Sequence, residues 1–113
     1  MTDINKPFIP YDMYESSSEI VIIMPLGGVQ KESLEIKIEN YQILIKGERE
    51  KPELNELFVS IQEQCYWGVI DLEIDIPPQV YFDKIHSKLS GDNTLQIIVP
   101  KALVPEKIEL EIE

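Results

Sequence analysis

Residues 95–101, Leu-Gln-Ile-Ile-Val-Pro-Lys, constrain the chain more than any other stretch. Leu95, Ile97 and Val99 alternate onto one face, and β-branched residues suit a pleated, buried surface. Pro100 has no N–H to give a ladder, so the strand ends there. After a tether from Ala102 to Lys107, the alternation returns in Ile108, Leu110 and Ile112, with Glu109, Glu111 and Glu113 between them. A core that closes on a proline and is followed by a spare apolar strand implies a chain that binds by adding strands.

The same two-residue period recurs upstream. Leu34 to Glu39 alternates cleanly, Asn40-Tyr41 is a tight turn, and Gln42 to Lys46 completes a hairpin that Gly47 is expected to end. Ile70, Leu72, Ile74 and Ile76 alternate with Asp71, Glu73 and Asp75 until Pro77-Pro78 stops them. Tyr11 to Glu15 reads as a brief edge strand. Glu19 to Met24 is apolar almost throughout, as in a strand covered on both faces. Val29 to Ser33 is a polar connector with room for one helical turn, Val80 to Asp83 an extended connector, and Ile85 to Leu89 a short strand. Short strands between turns, without a persuasive helix, give an all-β sandwich.

One stretch breaks the rhythm. Residues 48–68 are charged, contain Pro52, and carry a strand-like run, Leu57-Phe58-Val59-Ser60-Ile61. A connection this long in a small domain is uncommon unless it has a function.

The 113 residues are enough for one domain. A net charge of −11 argues against nucleic acid and against anionic membranes, which both select clustered Lys and Arg. It keeps sticky surfaces apart by repulsion. No apolar run approaches the roughly 20 residues that span a bilayer, and the first residues lack a signal-peptide pattern. The lone Cys65 fits a reducing cytoplasm. Chemistry is equally sparse. The carboxylates alternate along strands as solvated faces do, His86 is the only histidine, and Gly27-Gly28 lacks the Lys and Ser/Thr of a phosphate loop. No catalytic residue, metal or cofactor is expected, and the chain does not read as an enzyme.

In order and spacing the segments resemble the α-crystallin domain of the small heat-shock proteins. Residues 20–27, IVIIMPLG, are similar to that family's apolar strand ending in Pro and Gly. Residues 42–50, QILIKGERE, resemble its L-x-I-x-G-E-R strand, and Leu95 to Lys101 its L-x-I-x-V-P-K ending. Asp12 to Glu15 resembles its opening strand, Tyr66 to Pro77 its Y-G-x-F-x-R segment, and Ile108-Glu109-Leu110 and Leu110-Glu111-Ile112 its I-x-I/V anchor. The departures are Trp67 between Tyr66 and Gly68, Ile70 in place of Phe, Leu72 in place of the family's Arg, and a degraded A-x-x-x-x-G-V-L motif over Ser87 to Leu95. Residues 1–10 are expected to be a short arm where the family carries a long one, with the domain over 11–101 and the tail over 102–113.

The resemblance implies an immunoglobulin-like sandwich of two antiparallel sheets. It implies that Leu57, Phe58, Val59, Ser60 and Ile61 form a strand that crosses to a partner subunit. It also implies that the anchor residues Ile108, Leu110 and Ile112 dock in a groove edged by Leu34, Ile36 and Ile38 on one strand and Ile85, Ser87 and Leu89 on another. The expected partners are a second copy, with possible higher assembly, and unfolding client proteins held without ATP. The alternatives are an adaptor resembling the CS-domain co-chaperones, or a structural scaffold with the same fold.

Overall fold

Seven strands form in chain order: β1 (Asp12–Glu15), β2 (Glu19–Pro25), β3 (Glu35–Glu39), β4 (Gln42–Arg49), β5 (Gly68–Asp75), β6 (His86–Leu89) and β7 (Thr94–Pro100). They come from a computed structural model, which describes residues 8–102 and 109–113. One sheet has the order β1-β2-β7-β6 and the other β3-β4-β5, with every pairing antiparallel. The fold is an all-β sandwich of two antiparallel sheets. Single 3₁₀ turns at Lys31–Ser33 and Phe82–Lys84 lead into β3 and β6.

Alternation decides which side chains meet. Ile20, Ile22 and Met24 of β2 and Leu95, Ile97 and Val99 of β7 face Ile43 and Ile45 of β4 and Ile70 and Ile74 of β5 in one buried cluster. No buried residue among those described is polar or charged. Burial of aliphatic area therefore carries the stability, at roughly 1.5–3 kcal/mol for each fully buried side chain.

Four local readings change. β2 is not covered on both faces: Val21 and Ile23 are only half-buried, because no further layer packs outside that sheet. Gly47 does not end β4, which runs on to Arg49. A Cβ at Gly47 would lie 3.2 Å from Val29 Cγ1, so close approach explains the glycine. Residues 80–83 are not simply extended, since Val80 bridges to Lys101 and the 3₁₀ turn follows. Ile9, placed in the arm by its sequence, belongs to the buried cluster.

The hairpin turn is as expected, with an added constraint. Glu39 pairs with Gln42, leaving two loop residues, and both Asn40 (φ 51°) and Tyr41 (φ 61°) are left-handed. This is the twist that a two-residue hairpin requires. Tyr41 is a costly residue there, and two contacts hold it. Ile76 N–H donates to its carbonyl at 3.0 Å, and its ring meets Phe82 edge-on at 5.3 Å.

Candidate binding edges and the long loop

β3 and β6 are terminal strands of their sheets, so each presents one row of backbone groups without a ladder partner. Directly opposed residues share a face. Ile36 lies opposite Ile45 and Ile38 opposite Ile43, so both point toward the interior. Ser87 lies opposite Ile97 and Leu89 opposite Leu95, so they do the same from the other sheet. Leu34, Ile36, Ile85 and Leu89 pack partly against the core. Ile38, although inward-facing, is 40% exposed, and Ser87 is exposed. An inward-facing residue that meets solvent marks a sandwich open at that edge. The Tyr41–Phe82 contact ties the β3–β4 turn to the segment that enters β6. All six expected groove residues thus lie on inward positions at or beside terminal strands.

The expected exchange strand stands differently. Residues 57–61 form no ladder in the single chain; Phe58 N–H donates to Asn55 O at 3.1 Å in a turn instead. Leu57 is 90% exposed and Ile61 98%, with Phe58 and Val59 also largely in solvent. Of the expected anchor, Leu110 and Ile112 are exposed and outside any strand, whereas Ile108 lies outside the described residues. Cys65 and His86 are exposed, and His86 Nδ1 lies 3.1 Å from Lys84 O. Among the described residues no group of His, Cys, Asp and Glu is placed to hold a metal. No helix among them is long and apolar enough to cross a membrane.

One structural role was not read from the sequence, that of Arg49 within the motif at residues 42–50. Arg49 closes β4 just before the long loop. Its Nε donates to Gly27 O at 2.8 Å, and its Nη1 donates to Tyr66 O at 3.5 Å. The Tyr66 hydroxyl donates to Val69 O. A Cβ at Gly28 (φ +80°) would meet Arg49 Cγ at 3.1 Å and Trp67 Cζ3 at 3.4 Å. Both roots of the loop are therefore pinned around one guanidinium, while residues 54–61 project from it. No local pattern announces this clamp, because its partners lie 22 and 17 residues away in sequence. Arg49→Ala is expected to cost about 1–3 kcal/mol, the scale of a hydrogen bond to a charged group. A red shift of emission from the chain's single tryptophan, Trp67, checks that the clamp has opened.

Leu72 faces inward opposite Ile45 and packs partly against the core. Leu72→Arg is expected to lower unfolding stability by about 1–3 kcal/mol, because a cation replaces packed apolar surface. Urea denaturation of the variant measures that loss. Beside β7, Lys101 Nζ lies 2.8 Å from a Glu15 carboxylate oxygen and donates to Ser16 O at 2.8 Å. That bond from Lys101 holds the Glu15 carboxyl below its ordinary value. A depressed carboxyl stabilises the fold above its ordinary pKa and loses that effect as pH falls through the lowered value. Lys101→Met is therefore expected to reduce stability more at neutral pH than in strong acid, where Glu15 is protonated and only the bond to Ser16 O is lost. Paired urea midpoints at the two pH values check the sign.

The model of the Hsp20/alpha crystallin family matches residues 12–113, and the chain belongs to that family. It is 29% identical over 103 residues to a chloroplastic small heat shock protein of Solanum lycopersicum, covering 88% of this chain and 41% of that protein. It is 25% identical over 109 residues to small heat shock protein C2 of Rickettsia felis, covering 96% and 70%. The chain spans about two fifths of the length of the tomato relative. Among solved structures, a small heat-shock protein from Xylella fastidiosa, described as having a distinct high order structure, matches with TM-score 0.74. The identity is 21%, over 96% of this chain and 98% of that one. A small heat shock protein from a Synechococcus phage matches with TM-score 0.67 at 19% identity, over 95% and 98%. These likenesses show the fold, and family membership supports a chaperone role.

Proposed function

We propose that this chain is an ATP-independent holdase that keeps unfolding proteins soluble. The observation that carries this reading is where its apolar residues stand. Leu57, Phe58, Val59, Ile61, Leu110 and Ile112 are all largely in solvent, and the terminal strands β3 and β6 each leave one edge unpaired, on a chain of net charge −11. Exposed apolar segments and open edges accept extended polypeptide, and the charge keeps the loaded complexes apart.

Assembly follows from the same surfaces. Residues 57–61 add to a partner's sheet, and the tail docks at the β3 and β6 edges of another copy. Burying Leu110 and Ile112 there is worth about 3–6 kcal/mol before ordering costs, which suits a latch that clients displace. Removing residues 106–113 is expected to shrink the assembly. An unchanged size would remove the tail from that role. The lone cysteine supports a cytoplasmic setting.

Client light scattering on heating, without ATP, tests the proposal with the full chain and with a chain ending at Lys101. Suppression by the full chain, with an altered dose response in the shorter one, is the expected result. Failure of both against several clients would overturn the holdase reading and move the function to an adaptor or scaffold.

A further inference from the structure

The two outer faces of the sandwich differ in kind. On the β1-β2-β7-β6 sheet, one outward row across all four strands is Tyr14, Val21, Ile98 and His86. The next is Asp12, Ile23, Gln96 and Lys88. Val21, Ile23 and Ile98 are half-buried, and Tyr14 is 58% exposed. Among the described residues no ion pair involves Asp12 or Lys88. The outer face of β3-β4-β5 instead sets Glu35 and Glu39 of β3 and Asp71, Glu73 and Asp75 of β5 around Lys37 and Lys46. Two copies of that acidic face repel. On a chain of net charge −11, the apolar face is the one through which copies can approach.

Symmetry makes this face complementary to itself. Aligned sheets pack about 10 Å apart and cross at roughly 30°. A two-fold axis between β2 and β7, parallel to them, sets β1 of one copy over β6 of the other and β2 over β7. Rows are preserved under that rotation. Val21 then meets Ile98, Tyr14 meets His86 and Asp12 meets Lys88, each pair occurring twice. An axis across the strands sets β1 over β1 and β6 over β6. It brings Lys88 against His86 and leaves Asp12 without a cation. The charges select the first axis.

We infer that two copies pack these outer faces together, with Asp12 of each set against Lys88 of the other. The contact lies out of the plane of the sheet, so the β3 and β6 edges keep their unpaired backbone for added strands. Four strands about 4.8 Å apart and about six residues long present roughly 400 Å² per copy, about 800 Å² in total. A free-standing interface needs roughly 1,200–2,000 Å². The contact therefore joins copies already held by the loop or the tail, and for that first link alone it rests on the assembly reading above.

Full-length chains with Cys65→Ser, one carrying Asp12→Cys and another Lys88→Cys, test the geometry with a short bismaleimide. The mixture is expected to cross-link at least about tenfold faster than either variant alone. Equal rates would overturn the axis and the inference with it. Sedimentation at low salt tests the energetics, with circular dichroism to check the fold. Ile98→Glu is expected to lower assembly affinity more than about tenfold, because a carboxylate then faces apolar Val21. Lys88→Glu and Asp12→Lys each lower it about fivefold, and the double variant, with the charges exchanged, recovers most of the loss. Undiminished assembly in all of these variants overturns the inference and leaves the loop and tail contacts standing. Undiminished assembly of Ile98→Glu with lost client suppression overturns it as well and gives this face to clients. A wild-type chain that sediments only as a monomer lacks the first link, and overturns the assembly reading and this inference together.

Discussion

Replacing Ile45 by alanine is expected to cost about 3–4 kcal/mol of unfolding free energy, within the range found when buried isoleucine is truncated. The position leaves little room for relaxation. Ile45 is fully buried on β4, the central strand of its sheet, between Ile36 of β3 and Leu72 of β5. Ladders on both sides hold its backbone, so neighbouring strands cannot close on the vacated space. A domain of this size has only about 5–15 kcal/mol to lose. The change should appear as a lower urea midpoint with an unchanged slope. A loss under about 1 kcal/mol would show that the sandwich collapses around the gap and is looser than its burial indicates.

The second large effect belongs to the projecting loop and acts on association. Serine at Leu57, Phe58, Val59 and Ile61 together should abolish the dimerisation proposed above while leaving the sandwich folded. None of the four contributes to the buried cluster, so the single chain has little to lose. In a paired state, their burial would supply about 6–12 kcal/mol before ordering costs, enough to decide between monomer and dimer. Sedimentation gives the mass, and far-ultraviolet circular dichroism reports the fold. A dimer that survives the fourfold change would place the contact on another surface.

What could be read in advance follows from how locally each element is determined. β3, β5 and β7 alternate over their whole length, so their faces were legible residue by residue, as Ile70, Ile74, Leu95 and Ile97 illustrate. Asn40-Tyr41 marked its turn by composition alone. β2 misled because Val21 and Ile23 look like core, whereas burial of that second face depends on a layer the monomer does not have. Gly47 misled because its role is closeness to Val29, a contact distant in sequence. The Arg49 clamp was invisible for the same reason: its partners, Gly27 and Tyr66, come together only once β4 and the loop are in place. Among the binding residues, the inward parity of Ile36, Ile38, Ser87 and Leu89 follows from alternation. Which edges remain open depends on strand order, and local pattern does not encode that. Segments 57–61 and 109–113 carry strand-like sequences without strand structure in the single chain, because a strand needs a neighbour to complete it.

The absence of buried charge from the described core separates two responses to the environment. A group that stays in water on both sides of the unfolding reaction gives acid little leverage on that reaction. Acid has far more leverage on the spacing between molecules, since protonating carboxylates erodes the net charge of −11 that holds copies apart. As pH falls into the carboxylate range, about 4, this chain should therefore change its association before its fold. Heat acts in the reverse order, on an aliphatic core whose stability curve bends with temperature. The two stresses reach the same molecule through different variables, one colloidal and one conformational.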